Sequence, residues 1–454
     1  MHHIFIAFVF GVAVLFSGCS SKQFKVLDLN DSVVEDLQKL PQSPHSYLSS
    51  YKDSLRLKAA QSDTRYYAHY YRVWRKKPTL SRYEAMWPFR AFNEKHHLYG
   101  MNLKPLEDEF FQKLRDNANF VAYMQIAKKA LTLRGTNIRA FATDEIVMKN
   151  PLKAGEGFPF DYMQNSYIAA NKPLFVSHFS KDGRWVFVIS AFTSGWVKVQ
   201  DVVFIPDEDA DVWQSALQVH VTTDKKIRWS RKYHMPLSLR LGMSLPVRKE
   251  LEGGGFRVVC AVKKGKNGEI VYDTIDLKAD EAVKKPLLMN RKNIAHILSL
   301  LKKSRYGWGG LYAERDCSST IRDYFAPFGI WLGRNSAVMA HAGKVFSLQR
   351  KTPQEKIETI KSNAIPFETL LYRNGHIGLY VGMYDNQPIV FQNMWGIKTK
   401  NGDRTGRIVV GRAVFSTLQM GRGLPYYDEN SSFLSKLRSF NIVTLNDESA
   451  LDVK

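Results

Sequence analysis

The sequence predicts a multidomain α+β protein in which a helical N-terminal region, two small β-barrels and a C-terminal α+β domain follow one another. Three observations support this prediction. The 454 residues exceed what one core usually holds, since domains average about 100–150 residues. The hydrophobic pattern changes from helical spacing to short strands near residue 130. Beyond residue 288, amphipathic helices precede three apolar strands, an order typical of α+β domains.

The first nineteen residues have the pattern of an export signal. The run IFIAFVFGVAVLF (4–16) is too short for a comfortable transmembrane helix, and LFSGC places Gly18 before Cys19. This segment resembles a bacterial lipoprotein signal, in which Cys19 would be lipidated and become the new N-terminus. It departs from that pattern because Met-His-His lacks Lys or Arg and Phe16 replaces the usual Leu. An uncleaved anchor or an ordinary secretory signal is the alternative.

The helical part follows a polar segment. Residues 20–45 contain Pro and Ser and are interpreted as a tether. Residues 46–130 form the predicted helical region, where EDEFFQKLRDNANFVAYM carries apolar side chains at helical spacing. Its large aromatic residues are expected to form core or domain interfaces rather than a ligand site.

Two β-rich regions come next. Residues 131–205 contain short apolar runs and a Lys-Asp-Gly turn at 181–183, which together predict a small barrel. Residues 206–288 repeat this pattern, with FRVVCAVKK as one of the strands.

The C-terminal domain is assigned to residues 289–427, and residues 428–454 are assigned to a tail. A helix over NRKNIAHILSLL is followed by a second one that starts near Cys317 and is interrupted at Pro327, and by a third near 337–349. Strands are predicted at HIGLYVGMY, QPIVFQNMWG and GRIVVGRAVF.

The formal net charge of +22 comes from scattered basic residues with only short lysine runs. This pattern favours a solvated basic surface, or contact with an anionic envelope polymer or membrane, over a nucleic-acid site. Cysteine and histidine spacings give no zinc pattern, so neither a metal nor a cofactor is expected.

Cys317 is the candidate nucleophile. It lies in YGWGGLYAERDCSST (306–320), behind two glycines and at the start of a predicted helix. A helix N-terminus and a nearby imidazole are expected to lower its pKa. Cys260, within an alternating strand, is expected to be a buried core thiol, which leaves Cys317 free.

His376, at the start of an apolar strand, is the candidate base, whereas His341 lies in a polar helix and is expected to be solvated. A base needs a group that accepts from its other ring nitrogen. On the next strand Gln392 can do so, while Asn393 would face the other way.

The chain resembles the NlpC-type cysteine peptidases that cut peptidoglycan stem peptides. The segments that carry the resemblance are YGWGGLYAERDCSST, HIGLYVGMY, QPIVFQNMWG, LGRNS and FPFDYMQNSYIAANKPLFVSHFSKDGRWVFVIS. The similarity is to the multidomain branch with an N-terminal clip region and two SH3-like domains before a papain-like catalytic domain. The resemblance implies that Cys317 is the nucleophile, His376 the base and Gln392 the third member. It further implies that Tyr306 polarises the attacked carbonyl, and that Asp316 and Ser318 hold the free α-amine of the substrate in a pocket that Ser336 also lines. Tyr162 or its neighbours in PFDYMQ would close the far end, so that only a short peptide with a free N-terminus fits.

Two positions depart from the family pattern. Gln392 stands where this branch more often has histidine, and Met339 stands where a glutamine usually follows RNS. The first is a tolerable replacement because an amide oxygen can also orient an imidazole. The second has no explanation in the sequence.

The resemblance implies an endopeptidase that cuts between γ-D-glutamate and diaminopimelate in peptides with a free N-terminal L-Ala. The expected partners are stem peptides or muropeptides and, through the lipid on Cys19, a membrane. The expected place is the periplasmic side of the cell envelope, with the outer membrane favoured by Ser20. The alternatives are an inactive cell-wall-binding scaffold and an acyl transferase on the same fold; the sequence does not determine the oligomeric state.

Overall fold

The computed structural model describes residues 24–49, 51, 63–284 and 286–445. The signal predicted for residues 1–19, with Cys19, lies outside these ranges. Within them, none of the helices combines the length and apolar character needed to cross a membrane.

The N-terminal region consists of short elements that pack on the other domains. The elements are β1 (Leu27–Asp28), α1 (Glu35–Lys39), α2 (Asp63–Tyr70), α3 (Arg72–Arg75), α4 (Arg82–Ala85), α5 (Trp87–Ala91) and α6 (Asp108–Asn117). Tyr66, Tyr70 and Trp74 are buried in a cluster that also holds residues of both β-rich regions. These aromatic residues therefore join domains, as the sequence predicts.

The first β-rich region is one sheet of seven strands. They are β2 (Lys128–Thr132), β3 (Thr136–Arg139), β4 (Gln164–Ile168), β5 (Pro173–Phe179), β6 (Trp185–Ser190), β7 (Ser194–Lys198) and β8 (Val202–Phe204). Their spatial order is β4-β3-β7-β6-β5-β2-β8. The predicted turn at 181–183 joins β5 to β6, and Gly183 there has a φ of 68°.

The second β-rich region has a helix and a smaller sheet. Its elements are α7 (Asp207–Ser215), β9 (Gln218–Val221), β10 (Ile227–Trp229), β11 (Pro236–Ser238), β12 (Ser244–Glu250), β13 (Phe256–Lys264), β14 (Ile270–Leu277) and β15 (Ala282–Val283). Five strands pair in the order β14-β13-β12-β9-β15, and β10 pairs with β11. Cys260 lies on β13 and is fully buried, as predicted.

The C-terminal domain packs helices against a second seven-stranded sheet. The helices are α8 (Arg291–Leu301), α9 (Cys317–Phe325), α10 (Ser336–Met339), α11 (Pro353–Asn363) and α12 (Phe433–Lys436). The strands are β16 (Lys344–Ser347), β17 (Thr369–Arg373), β18 (His376–Tyr384), β19 (Gln387–Asn401), β20 (Arg404–Thr417) and β21 (Ser439–Ile442). The order is β1-β20-β19-β18-β17-β21-β16. The three long strands β18 to β20 match the three predicted ones.

Two predicted boundaries of this domain are wrong. The described part of the predicted tether adds β1 to the sheet in parallel with β20, and the Gln42 amide bonds the backbone of Phe415 in both directions. The described part of the predicted tail contributes β21, which lies between β17 and β16. Short polar segments of this kind carry no periodicity of their own, because the sheet supplies their hydrogen bonds.

The region after α9 also differs from the prediction. The helix expected near 337–349 is only the four-residue α10, and the chain then continues as the strand β16. Strand β17 and helix α11 were not predicted. Asn335 caps α10 by accepting from the N–H of Val338, and Gly343, with a φ of 73°, directly precedes β16.

Candidate active site

Cys317 is the first residue of α9, and the sequence fixes that start with a capping box. The Asp316 carboxylate accepts from the Ser319 N–H at 2.8 Å, and the Ser319 hydroxyl accepts from the Asp316 N–H at 2.9 Å. The thiol is 8% exposed and sits at the positive end of the helix. This position stabilises a negative charge on sulfur once one forms.

The loop before Cys317 packs against the first β-rich domain. Gly309 and Gly310 have φ values of 59° and 81°, and a Cβ on either would lie 2.5 Å from an atom of Gln164 or Tyr167. The Gln164 amide donates to the Gly309 carbonyl at 3.1 Å. The two glycines therefore allow β4 to support the loop that precedes Cys317.

His376 is the first residue of β18, and its ring is oriented by a defined chain of hydrogen bonds. Its Nε2 lies 2.6 Å from the Gln392 Oε1. The Gln392 amide nitrogen donates to the Ser416 hydroxyl at 2.7 Å, and that hydroxyl donates to the Thr417 carbonyl at 3.0 Å. Because Ser416 uses its proton on Thr417, Gln392 must present its oxygen to His376. The imidazole therefore carries its proton on Nε2 and keeps the Nδ1 lone pair available as a base.

Helix α9, which begins at Cys317, packs on β18, which begins at His376. The backbone N–H of Ile377, the residue after His376, bonds the Cys317 sulfur and favours its thiolate. Asn393 faces the opposite way from Gln392, as predicted, and its amide donates to the Arg315 carbonyl at 2.9 Å. The two neighbouring amides of β19 thus hold different parts of the site.

The resting pair is neutral, which corrects the expected lowering of the thiol pKa. Burial, and then the Asp316 carboxylate, raise the pKa of Cys317 to about 12, against the effects of the Ile377 N–H and Arg334. Burial lowers the pKa of His376 to about 4, although its hydrogen bond to Gln392 acts in the other direction. The helix N-terminus and the N–H donors therefore do not outweigh desolvation in the unliganded protein. A neutral thiol of this kind can pass its proton to an imidazole only as it attacks a substrate.

Tyr306 remains a hydrogen-bond donor beside this pair. Burial raises the pKa of its hydroxyl well above the usual value, and the neighbouring Cys317 and Asp316 raise it further. A protonated phenol here can polarise a carbonyl group.

Asp316 and Ser318 belong to a buried polar cluster whose centre is Arg334, a residue that the sequence analysis did not single out. The guanidinium bonds the Asp316 carboxylate at 2.7 Å, the Ser318 hydroxyl at 2.8 Å and the Ser166 hydroxyl of β4 at 2.8 Å. Although burial opposes its charge, Asp316 raises the pKa of Arg334. Part of the predicted amine-binding carboxylate is thus already paired with a cation. The only signal for Arg334 was its place in LGRNS, where arginine usually indicates a surface loop.

An open cavity of about 300 Å³ lies beside the catalytic groups and is lined by Tyr306, His376 and Gln392. From the first β-rich domain Phe160 lines it, and its ring lies 5.2 Å from that of Trp308. Tyr162 lies against the same Trp308 at 5.8 Å and is not among the lining residues. Tyr162 therefore does not border this cavity, whereas Phe160, its neighbour in PFDYMQ, does.

The remaining two positions lie on α10. Ser336 is its half-buried first residue, two positions after Arg334, and does not line the cavity. Met339 is fully buried in the domain core, so a hydrophobic side chain suits that position. Over the described ranges, no group of three His, Cys, Asp or Glu side chains could hold a metal ion.

Three family models match the chain in this order: the NLPC_P60 stabilising domain over residues 8–123, an SH3 domain of the SH3b1 type over 147–198, and the NlpC/P60 family over 303–404. Together they cover more than half of the chain. The chain belongs to the NlpC/P60 family. Its first β-rich region is the SH3-like domain, whereas the SH3-like nature of residues 206–288 stays a prediction.

One solved structure shares the fold of this chain over most of its length. An NlpC/P60 endopeptidase from Photobacterium damselae subsp. piscicida is 23% identical and superposes with a TM-score of 0.79 over 90% of this chain and 98% of its own. An NlpC/P60 family protein from Bacillus cereus is 13% identical, with a TM-score of 0.42 over 61% of this chain and 81% of its own. No curated protein matches the chain.

NlpC/P60 proteins are cysteine peptidases, and this membership supports hydrolysis of peptidoglycan peptides. It agrees with a site in which the nucleophile is a thiol on a helix N-terminus and the base is a histidine on the facing strand.

Proposed function

We propose that this NlpC/P60 protein is an endopeptidase that cuts peptidoglycan stem peptides between γ-D-glutamate and diaminopimelate, with Cys317 as nucleophile, His376 as base and Gln392 as its orienting residue. The observation that carries the proposal is the hydrogen-bond chain from Thr417 through Ser416 and Gln392 to His376, which leaves one lone pair of the imidazole for the thiol.

The reaction follows from these positions. Cys317 Sγ attacks the γ-carbonyl carbon of D-glutamate while its proton passes to His376 Nδ1, and Tyr306 donates to the carbonyl oxygen. The C–N bond then breaks as His376 gives the proton to the leaving amine. Water, deprotonated by His376, hydrolyses the thioester and frees the thiol.

The proposal puts a short peptide with a free amino end on the other side of the site. There β4 supports the loop that precedes Cys317, and the residues on either side of Cys317 in the sequence, Asp316 and Ser318, bond each other. We expect the α-amine of L-Ala to bind next to these two residues, with Ser336 nearby and with Tyr162 on the barrel side.

The test uses L-Ala-γ-D-Glu-meso-diaminopimelate and its N-acetylated form, with products identified by mass. Wild type should release L-Ala-γ-D-Glu from the free peptide and act at least roughly tenfold more slowly on the acetylated one, since a buried charge pairing would be lost. Cys317→Ala is the inactive control. No cleavage by wild type would support a cell-wall-binding scaffold, and amide products formed with added amines would support acyl transfer.

The same proposal places the protein in the cell envelope as a lipoprotein anchored at Cys19. Metabolic labelling with a fatty-acid analogue should mark wild type and not Cys19→Ala. Labelling of neither would indicate an ordinary secretory signal or an uncleaved anchor.

A further inference from the structure

Two arginines line the cavity next to the catalytic groups without a carboxylate partner. Arg373 Nη1 donates to the Ser431 carbonyl at 2.9 Å, and Arg407 Nη1 donates to the Gly396 carbonyl at 3.2 Å. Within the part of the chain that the structure describes, neither side chain forms an ion pair, and the Nε of each is buried without a hydrogen-bond partner. Each guanidinium therefore keeps N–H donors available for a ligand.

The other polar groups of this cavity do not neutralise the two charges. Lys398 and Asp428, both in the lining, pair with each other at 3.0 Å. The indole N–H of Trp395 is a further buried donor without a partner among the described residues. The cavity thus offers donors and an excess of positive charge.

The two cations also repel each other. Burial lowers the pKa of Arg407, and the charge of Arg373 lowers it further. Burial likewise lowers the pKa of Arg373. A bound anion would relieve both the repulsion and the missing hydrogen bonds, which is the usual condition for buried arginines.

The cavity lies on the leaving-group side of the reaction. It is lined by His376 and Gln392, and His376 must hand its proton to the leaving amine. The opposite arginine, Arg334, is already paired with Asp316 and does not line the cavity. The residue that follows the cleaved bond therefore enters the space in front of Arg373 and Arg407.

We propose that Arg373 and Arg407 form a carboxylate-binding subsite that selects peptides whose leaving residue carries a side-chain carboxylate. This inference rests on the proposed function, under which the leaving residue is diaminopimelate. Diaminopimelate differs from lysine by one carboxylate at the end of its side chain. A planar guanidinium binds such a carboxylate through two parallel N–H donors.

The experiment compares kcat/KM for L-Ala-γ-D-Glu-meso-diaminopimelate with that for L-Ala-γ-D-Glu-L-Lys. Wild type should prefer the first peptide by roughly 10- to 100-fold, as expected for a charge-assisted hydrogen bond. In Arg407→Gln the preference should fall to within a fewfold of one, and Arg407→Lys should restore part of it. The ratio is taken within one variant, so a loss of folded protein does not change it.

Arg404→Gln is the matched control. Arg404 begins the same strand, is exposed and stacks 6.0 Å from the ring of Phe24, outside the cavity lining. The Arg404→Gln variant should prefer the diaminopimelate peptide over the lysine peptide as strongly as wild type does. Arg373 is less suitable for the first test because it pairs opposite His376 in the β17–β18 ladder.

The outcomes separate the two proposals. Equal rates on both peptides in wild type, or an unchanged preference in Arg407→Gln, overturn the subsite while the proposed function stands. A preference lost equally in Arg404→Gln also overturns it. Cleavage of neither peptide overturns the proposed function itself, and the subsite with it.

Discussion

Cys260 and Cys317 are both buried free thiols, and burial raises the pKa of each to about 12, yet their neighbours differ. Cys260 lies inside β13 within an apolar cluster and points its S–H toward the Asp273 carbonyl at 3.6 Å. Cys317 begins a helix, receives the Ile377 N–H and lies beside the strand that carries His376.

The difference shows that a raised thiol pKa does not distinguish a structural cysteine from a catalytic one. At Cys260 burial and the Asp273 charge both disfavour the thiolate. At Cys317 burial is opposed by N–H donors and by Arg334, and a neutral imidazole can take the proton. The proposed catalytic thiol is therefore distinguished by the groups that would stabilise its charge once a substrate arrives.

The largest expected effect separates the two thiols directly. Cys317→Ala should lower kcat for peptide hydrolysis by roughly 10⁴-fold or more, as loss of a nucleophile does in triad enzymes. Cys260→Ala should keep kcat within about twofold. A comparable loss of activity in both variants would contradict the assignment.

The second effect is the pH dependence of thiol alkylation. With the pKa of Cys317 raised, the thiolate fraction and the iodoacetamide rate should rise roughly tenfold per pH unit between pH 7 and 9. The modified residue is identified by mass after digestion. A rate that is already high and constant from pH 5 to 8 would instead indicate a resting thiolate–imidazolium pair.

The acid limb of kcat/KM tests the other member of the pair. Because burial lowers the pKa of His376 to about 4, its base form persists down to that pH. Activity should therefore fall only as pH drops through about 4, rather than through the ordinary histidine value of about 6.5. The profile must be measured over a range in which circular dichroism shows the fold to be intact, and a midpoint near 6.5 would contradict the lowered pKa.

A smaller effect is expected at the residue that orients the imidazole. Gln392→Leu should lower kcat by roughly 10- to 100-fold, a typical cost of losing a group that orients a catalytic side chain. Gln392→His should retain most activity, because its ring nitrogen can also accept from His376. Full activity of Gln392→Leu would show that the hydrogen-bond chain is not used.

Long periodic segments made much of this fold predictable from the sequence. The helix at α9, the strands β18 to β20 and the pairing of His376 with Gln392 follow from spacing and alternation. Strands β1 and β21 did not, since their hydrogen bonds come from distant parts of the chain.

Some residues of the site could likewise be predicted from the sequence, and others could not. Arg334 bonds Ser166 of β4 and Arg407 lines the cavity only in the folded protein, so no local pattern indicates the role of either residue. The protonation state of Cys317 could not be predicted from the sequence either. Its position at a helix N-terminus predicts a lowered thiol pKa, whereas its burial, which is known only from the structure, raises that pKa.

The most direct test of the catalytic assignment is mass analysis of the acyl-enzyme. Wild type is mixed with L-Ala-γ-D-Glu-meso-diaminopimelate, quenched in acid within milliseconds and digested with trypsin, which cuts after Arg315 and Arg322. The account predicts an L-alanyl-γ-D-glutamyl adduct on the 316–322 peptide, which contains Cys317, and none on the peptide with Cys260. Turnover with an adduct on another residue would contradict it.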